Sequence, residues 1–151
     1  MDIYENLKKM NLTLPEPPKK GGAYVPVRQV GNVLYTAGVG PTKDGIPVII
    51  GKVGKEVNVE LARKAAELVI LNMLSVLEVY LKDLNKIKKF VKMLAFVSSD
   101  NSFHDQPKVI DAASELLVKI FGERGEHARS AIGTNSLPGN IPVEIEFIIE
   151  I

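Results

Sequence analysis

Apolar positions recur at helical spacing in the first half of the chain. They predict a short helix over residues 2–11, followed by a Pro- and Gly-rich loop over 14–22. The longest regular pattern begins at Asn58, a residue type that caps helices well, and continues to about Lys82. The sequence therefore predicts one short and one long helix in this half.

The middle of the long predicted helix is apolar almost all round. Between residues 68 and 77 only Asn72 and Ser75 are polar, and one face of a sheet cannot cover that much apolar surface. The apolar run is shorter than the ~20 residues that a bilayer requires, and Glu78 and Lys82 end it. We therefore reject a membrane span and expect further protein to cover this helix.

Two buried elements are predicted in the second half. Residues 90–97 are apolar on both faces apart from Lys92, which is typical of a strand inside a sheet. Residues 107–121 predict a helix, because a proline suits its first turn, its apolar residues share one face and Gly122 can end it.

Several shorter stretches have the composition of strands. Residues 23–30 and 33–38 are rich in β-branched and aromatic side chains, and Gly31 and Asn32 between them suit a tight hairpin. A further strand is predicted over 46–53, after a turn.

The last two predicted strands cover 128–133 and 143–151. Turn residues join them, so we expect them to pair antiparallel. The resulting order is β-β-α-β-α-β-β, an α+β fold with a mixed sheet and two helices packed on it. We expect one domain over 1–151, in which 1–22 form an N-terminal helix and loop extension.

The last strand has one apolar face and one acidic face. Glu144, Glu146 and Glu150 alternate with apolar residues. If this strand pairs symmetrically with the one before it, Arg129 lies across from Glu144 or Glu146. Spacing alone favours a surface ion pair. The functional alternative is that Arg129 binds a substrate carboxylate while a glutamate holds a water.

Composition narrows the class of protein. Apolar residues make up 46% of the chain and charged residues 25%, as in a globular domain. Lys and Arg number 19 against 18 Asp and Glu, so no overall field attracts nucleic acid or an anionic membrane. The chain has no cysteine, which excludes disulfides and thiolate chemistry. The polar N-terminus does not resemble a secretory signal, and we expect a cytoplasmic protein.

Familiar site templates do not fit. The segment 45–52 has the wrong glycine spacing for a phosphate loop, and 38–40 lacks the third glycine of a dinucleotide fingerprint. His104 and His127 have no companion ligands nearby in the sequence, so we predict no metal and no cofactor. A basic stripe with stacking aromatics is missing too, so no nucleic acid partner is expected.

Several short motifs carry a family resemblance over roughly residues 14 to 151. The chain resembles the YjgF/Rid family through Tyr24-Val25, Gly31-Asn32, Thr36-Ala37-Gly38, His127-Ala128-Arg129-Ser130, Leu137-Pro138 and Val143-Glu144-Ile145-Glu146. Three further motifs resemble a longer branch of that family: Gln106-Pro107-Lys108-Val109, Ala113-Ser114-Glu115-Leu116 and Phe121-Gly122-Glu123.

The resemblance implies a fold like bacterial chorismate mutase and a homotrimer with three clefts between subunits. A trimer would also cover the apolar helix. Such a cleft would take Arg129 and Glu144 from one chain and further groups, from the strand 90–97 or the second helix, from the next.

The resemblance also implies roles for single residues. In the well-studied branch the arginine matching Arg129 binds the carboxylate of a 2-imino acid, and the glutamate matching Glu144 positions the hydrolytic water. Tyr24 and Gly38 match a tyrosine and a strand glycine of that site. Ser114 stands where the deaminases have a side-chain amide.

Besides Ser114, two positions depart from the deaminase pattern. Ala131 replaces a frequent cysteine, and Val39 replaces a frequent glutamine. In the expected reaction, backbone groups near Gly38 and Ala131 would hold the developing amine. The resemblance therefore implies hydrolysis of 2-imino or enamino acids to 2-oxo acids and ammonia. The alternative is a non-catalytic trimer that binds a small carboxylate.

Overall fold

The computed structural model describes residues 2–151. Met1, the first residue of the predicted domain, lies outside the described residues. The three α-helices are α1 Ile3–Lys9, α2 Val59–Leu81 and α3 Gln106–Phe121. The strands are β1 Val27–Val30, β2 Val33–Thr36, β3 Thr42–Lys43, β4 Ile46–Pro47, β5 Lys89–Ser98, β6 Ala128–Thr134 and β7 Val143–Glu150.

Five strands form one mixed sheet in the order β1-β2-β7-β5-β6. Only β5 and β6 run parallel among the pairs of this sheet, and the other neighbours are antiparallel. The predicted α+β class and the order of the main elements along the chain are confirmed. Besides the two predicted long helices, α1 makes a third helix, anchored where the Asn6 side-chain amide donates to the Ile120 carbonyl.

The predicted antiparallel pairing of the last two strands is wrong. β5 lies between them, parallel to β6 and antiparallel to β7. The helix α3 connects β5 to β6, and a helical crossover returns the next strand parallel to the first. The segment after β6 then leads back across the sheet, so that β7 inserts between β2 and β5.

The predicted strand over 46–53 is also mostly wrong. Ile46–Pro47 forms a small separate hairpin with Thr42–Lys43, and Val53 makes only isolated bridges to Val57 and Ser99. Asp44 and Gly45 have φ values of 53 and 79°, the two left-handed residues that a tight hairpin turn requires. The first hairpin is confirmed at Gly31, but its strands are shorter than predicted.

Helix α2 has the predicted ends. The Asn58 side chain accepts from the Leu61 amide, and Lys82 ends the helix in the left-handed conformation. None of the helices described over residues 2–151 is long and apolar enough to cross a membrane.

The single chain covers the apolar middle of α2, contrary to our expectation that a trimer is needed for this. Within 68–77 only Leu68 and Leu71 are half-buried, and the other side chains are buried. The loop that contains β3 packs on α2 at Asn72, whose amide donates to the Gly40 and Thr42 carbonyls at 3.0 and 2.9 Å. Asn72, a polar residue in the apolar middle of α2, thus has hydrogen-bond partners in its buried position.

The core lies between the helices and one face of the sheet. Phe90 of β5 is buried there and makes edge-to-face contacts with Phe121 and Phe147, at centroid distances of 5.0 and 5.4 Å. Alternate residues of β5 and β7 point to the other, open face and are half-buried: Lys92, Leu94, Phe96, Glu144, Glu146 and Ile148. Every functional side chain can therefore be assigned to one of two faces.

Candidate functional site

Arg129 lies on the helix-covered face of the edge strand β6. Its register partner is Met93, a buried residue of the core face, and paired residues of adjacent strands share a face. The guanidinium Nη1 donates to Asp111 Oδ1 at 2.8 Å and to Ser114 Oγ at 3.1 Å. Asp111 and Ser114 are three residues apart on α3, so both reach the same point. The Arg129 side chain is 23% exposed, which leaves it open to a ligand.

His127 continues this group of hydrogen bonds. Its Nδ1 lies 2.6 Å from the Gly125 carbonyl oxygen, and its Nε2 lies 3.0 Å from Ser114 Oγ. A carbonyl only accepts, so Nδ1 carries the proton of the neutral ring and Nε2 accepts from the Ser114 hydroxyl. Burial lowers the pKa of the His127 imidazole below its ordinary value, against the opposing effect of the Gly125 carbonyl, and the Arg129 charge lowers it further. The neutral ring is therefore the stable form at neutral pH.

We name Asp111, Ser114, His127 and Arg129 the arginine cluster. Sequence reasoning singled out Arg129 and Ser114 but missed the other two. The spacing of these residues is a signal in the sequence. His127 and Arg129 are two residues apart at the start of β6, and Asp111 and Ser114 are three apart on α3, so each pair points to one side of its element. What the sequence could not show is that the strand and the helix meet at these positions.

Glu144 lies on the open face of the sheet. It pairs with Phe96 of β5, whereas the adjacent Ile145 is buried on the core face. Burial raises the pKa of the Glu144 carboxyl above its ordinary value, and the Glu146 carboxylate adds to this rise. Glu144 is thus a half-buried carboxyl group in a less polar setting than free solvent.

Gly38 lies directly against Glu144. A Cβ atom at Gly38 would be 2.9 Å from Glu144 Cδ and closer still to Oε1, so any larger residue would displace the Glu144 carboxyl group. The neighbouring residues Val39 and Ile145 exchange backbone hydrogen bonds of 3.0 and 3.1 Å, which fix this approach. Two predicted site residues are therefore brought into contact.

Tyr24 and Gly38 line one cavity of about 140 Å³. The Pro-rich loop contributes Lys19 and Lys20 to its wall, and Val76 of α2 also lines it. The Tyr24 hydroxyl accepts from the Gly21 amide at 3.0 Å, which ties the ring to the Pro- and Gly-rich loop. We name Tyr24, Gly38 and Glu144 the glutamate half-site, since Gly38 joins the cavity to the carboxyl group.

The two groups do not meet within one chain. Arg129 and Glu144 are on opposite faces of the sheet, and β5 separates their strands. The expected cross-strand pair of Arg129 with Glu144 or Glu146 is therefore wrong, and Arg129 pairs with Asp111 instead. Ala131 lies on the same face as Arg129, opposite Ala95, and packs against the core.

Metal ligands are not assembled in the described part of the chain. Over residues 2–151 no group of three or more His, Asp or Glu side chains is arranged to hold a metal ion. Both groups offer hydrogen-bond donors, acceptors and charge for a small polar ligand.

Comparison with known proteins shows to which family the chain belongs. A model of the family described as "YjgF/chorismate mutase-like, putative endoribonuclease" matches residues 5–149. The chain belongs to the YjgF/chorismate mutase-like family. Its match over nearly the whole described domain agrees with the resemblance seen in the motifs around Arg129 and Glu144.

Three individual proteins are similar to this chain over more than nine tenths of their lengths. Protein TCP17 of Trypanosoma cruzi is 33% identical over 150 residues, which cover 99% of this chain and 94% of that protein. A 2-iminobutanoate/2-iminopropanoate deaminase of Dermatophagoides farinae is 28% identical over 147 residues, covering 95 and 97%. The crystal structure of Atu1372 from Agrobacterium tumefaciens superposes with a TM-score of 0.92 at 41% identity, covering 99% of this chain and 92% of that one.

Proposed function

We propose that this protein hydrolyses 2-imino or enamino acids to 2-oxo acids and ammonia at clefts between the subunits of a homotrimer. The single observation that carries the proposal is the division of the site. The arginine cluster and the glutamate half-site are each built for a ligand, yet they lie on opposite faces of one chain. A cleft in which one subunit contributes Arg129 and its neighbour contributes Glu144 would join them.

The arginine cluster supports recognition of a carboxylate. Among residues 2–151 the hydrogen bonds of Arg129 all use Nη1, so Nη2 and Nε have no partner. The N–H groups of Nη2 and Nε point to the same side of the guanidinium group, where together they can bind a carboxylate in bidentate fashion. A 2-imino acid carries its carboxylate next to the reacting carbon, so binding at Arg129 would also orient the imine.

The glutamate half-site supports activation of water. A protonated imine is already electrophilic and needs an oriented water rather than a strong nucleophile. The raised pKa of the half-buried Glu144 moves its carboxylate towards the basicity that proton transfer at neutral pH favours. The name of the Dermatophagoides farinae relative supports this substrate class, at 28% identity.

The open face of the sheet supports assembly. Leu94, Phe96 and Ile148 are half-buried there although the helices lie on the other face. Apolar side chains of this size favour contact with a second sheet. In a cyclic trimer the same patch of each subunit would meet the next, which gives three equal clefts.

The second candidate is a trimer that binds a small carboxylate without converting it. The observation in its favour is that Asp111 already occupies one nitrogen of Arg129 at 2.8 Å, while Ala131 and Ser114 replace the side chains frequent in the deaminases. Such a protein would use the same cleft for binding alone.

Ammonia release distinguishes the two candidates. An amino acid oxidase generates 2-iminobutanoate in the presence of the purified trimer, and the rates of ammonia and 2-oxobutanoate formation are compared with the rate without it. We expect acceleration by the wild-type protein but not by Arg129→Ala. A small carboxylate that raises the melting temperature, while the imine decays at the uncatalysed rate, would select the binding candidate instead.

Gly38→Ala should lower the hydrolysis rate without unfolding the protein. The added methyl group overlaps the Glu144 carboxyl group, which must rotate away from the cleft. We expect a fall in kcat of at least about 10-fold, with a melting temperature changed by less than about 4 °C. Gly21→Ala is the control, because its Cβ would lie 3.8 Å from the nearest atom. Equal rates for both variants would contradict a role for the contact between Gly38 and Glu144.

A further inference from the structure

Three hydrogen bonds of the arginine cluster form a series that runs in one direction, beside the bond from Arg129 to Asp111. Arg129 Nη1 donates to Ser114 Oγ, the Ser114 hydroxyl donates to His127 Nε2, and His127 Nδ1 donates to the Gly125 carbonyl. Because the Gly125 carbonyl can only accept, it fixes which atom donates in each of these three hydrogen bonds. Ser114 therefore stands between the ligand-binding arginine and an unprotonated ring nitrogen.

We propose that Ser114 and His127 form a proton relay that takes a proton from the hydrolysis intermediate held at Arg129. The inference rests on the proposed function and adds a second proton acceptor to it. Ser114 is the group that touches the intermediate, and His127 is a positioning residue that acts through Ser114.

Imine hydrolysis requires such an acceptor in its second half. Addition of water to the protonated imine forms a C–O bond, the C=N π electrons move to nitrogen, and Glu144 receives a water proton. Glu144 then returns this proton to the amine of the carbinolamine. For ammonia to leave, the C–N bond breaks, the remaining hydroxyl becomes C=O, and its proton must be removed.

The relay gives that proton a path. The hydroxyl proton passes to Ser114 Oγ while the Ser114 proton passes to His127 Nε2, so the serine is unchanged and the ring becomes charged. Among residues 2–151, the charge that acts on the His127 ring is that of Arg129, which is itself paired with Asp111 of α3. The arginine disfavours the charged ring, so the proton leaves for solvent and the next cycle begins from neutral His127.

A purely structural role would not need this arrangement. The hydroxyl of a serine on a helix can donate its hydrogen bond to a backbone carbonyl of the same helix, as the Ser75 hydroxyl does to the Leu71 carbonyl at 3.0 Å. Ser114 instead bonds two side chains from another element, one cationic and one basic, and it is half-buried rather than enclosed. In the arginine cluster, the Ser114 hydroxyl thus links the proposed ligand-binding group, Arg129, to a base, His127.

The test compares pH profiles of kcat for the wild type, His127→Gln, Ser114→Ala and Ser114→Thr, beside the His127 pKa measured by NMR. We expect the wild-type kcat to fall with acidification through that pKa, below about 6.5, and this ionisation to be missing from His127→Gln. His127→Gln and Ser114→Ala should each lower kcat by about 100-fold with little change in KM. Their double variant should be no slower, and Ser114→Thr should keep most of the activity.

A kcat for His127→Gln within twofold of the wild type, or independent effects of the two substitutions, would overturn the relay. If the wild type does not hydrolyse imines at all, the proposed function fails, and NMR then decides the relay separately. Binding of 2-oxobutanoate at Arg129 should shift the His127 Nε2 resonance in the wild type but not in Ser114→Ala. An unshifted resonance in a ligand-saturated wild type would refute the connection.

Discussion

Arg129→Ala should lower kcat/KM for 2-imino acids by about 100-fold or more. Removing one partner of a partly buried charge pair costs several kcal/mol of binding free energy, and the Ala side chain also leaves Asp111 and Ser114 of α3 without their donor. The effect should appear in both KM and kcat, because the carboxylate anchors and orients the reacting carbon. Steady-state ammonia release, with sedimentation to verify the oligomer, measures it.

Arg129→Lys is the matched control for charge. A lysine keeps the positive charge but cannot present two parallel N–H groups to a carboxylate. We expect Arg129→Lys to recover less than about one tenth of the wild-type kcat/KM. Full activity of the lysine variant would show that charge alone is sufficient, and full activity of the alanine variant would exclude Arg129 from the site.

Phe90→Ala should destabilise the fold by about 3–5 kcal/mol, the usual cost of deleting a buried phenylalanine. Phe90 is 1% exposed and contacts both Phe121 of α3 and Phe147 of β7, so its loss opens a cavity where a helix and two strands meet. Denaturant unfolding at a fixed subunit concentration gives the value.

Phe96→Ala is the matched control on the same strand. Phe96 lies on the open face and is half-buried, so in the isolated subunit its truncation should cost less than about 2 kcal/mol. In the proposed trimer this substitution should mainly weaken assembly, and the effect should grow on dilution. Equal costs for both variants at every concentration would contradict the distinction between a core face and an interface face.

The local elements could be predicted from the sequence because their signals are local. Asn58 and Lys82 mark the ends of α2 by capping geometry, and the prediction agrees with the structure to within a residue. Pro107 and Gly122 mark the two ends of α3 in the same way. Alternation along β7 likewise predicted which of its side chains share a face.

The partners of the last strands could not be predicted, because they depend on where connections cross the sheet. A short connection between β6 and β7 suggested a hairpin, but the preceding crossover through α3 had already placed β6 on the outer edge. The prediction that further protein must cover α2 was wrong for a similar reason. The loop that covers Asn72 reads in sequence as turns without a partner, and its position becomes apparent only through the hydrogen bonds from that side chain.

The candidate site was predictable in its residues but not in its arrangement. Motif resemblance selected Arg129, Glu144, Gly38 and Tyr24. In the structure Gly38 lies against Glu144 and shares a cavity with Tyr24, while Arg129 lies on the other face of the sheet. His127 was passed over because a histidine without neighbouring ligands in sequence usually has a structural role. Its serine and arginine partners become visible only once β6 and α3 pack together.

Subunit complementation tests the central claim most directly, namely that Arg129 of one subunit and Glu144 of its neighbour share a cleft. Arg129→Ala and Glu144→Gln are each expected to be inactive as pure trimers. Mixed in equal amounts and allowed to exchange subunits, they should form trimers in which about a quarter of the clefts combine two intact groups. We predict recovery of about that fraction of wild-type ammonia release. If the exchanged mixture remains as inactive as its components, Arg129 and Glu144 do not act across a subunit boundary, and the account is contradicted.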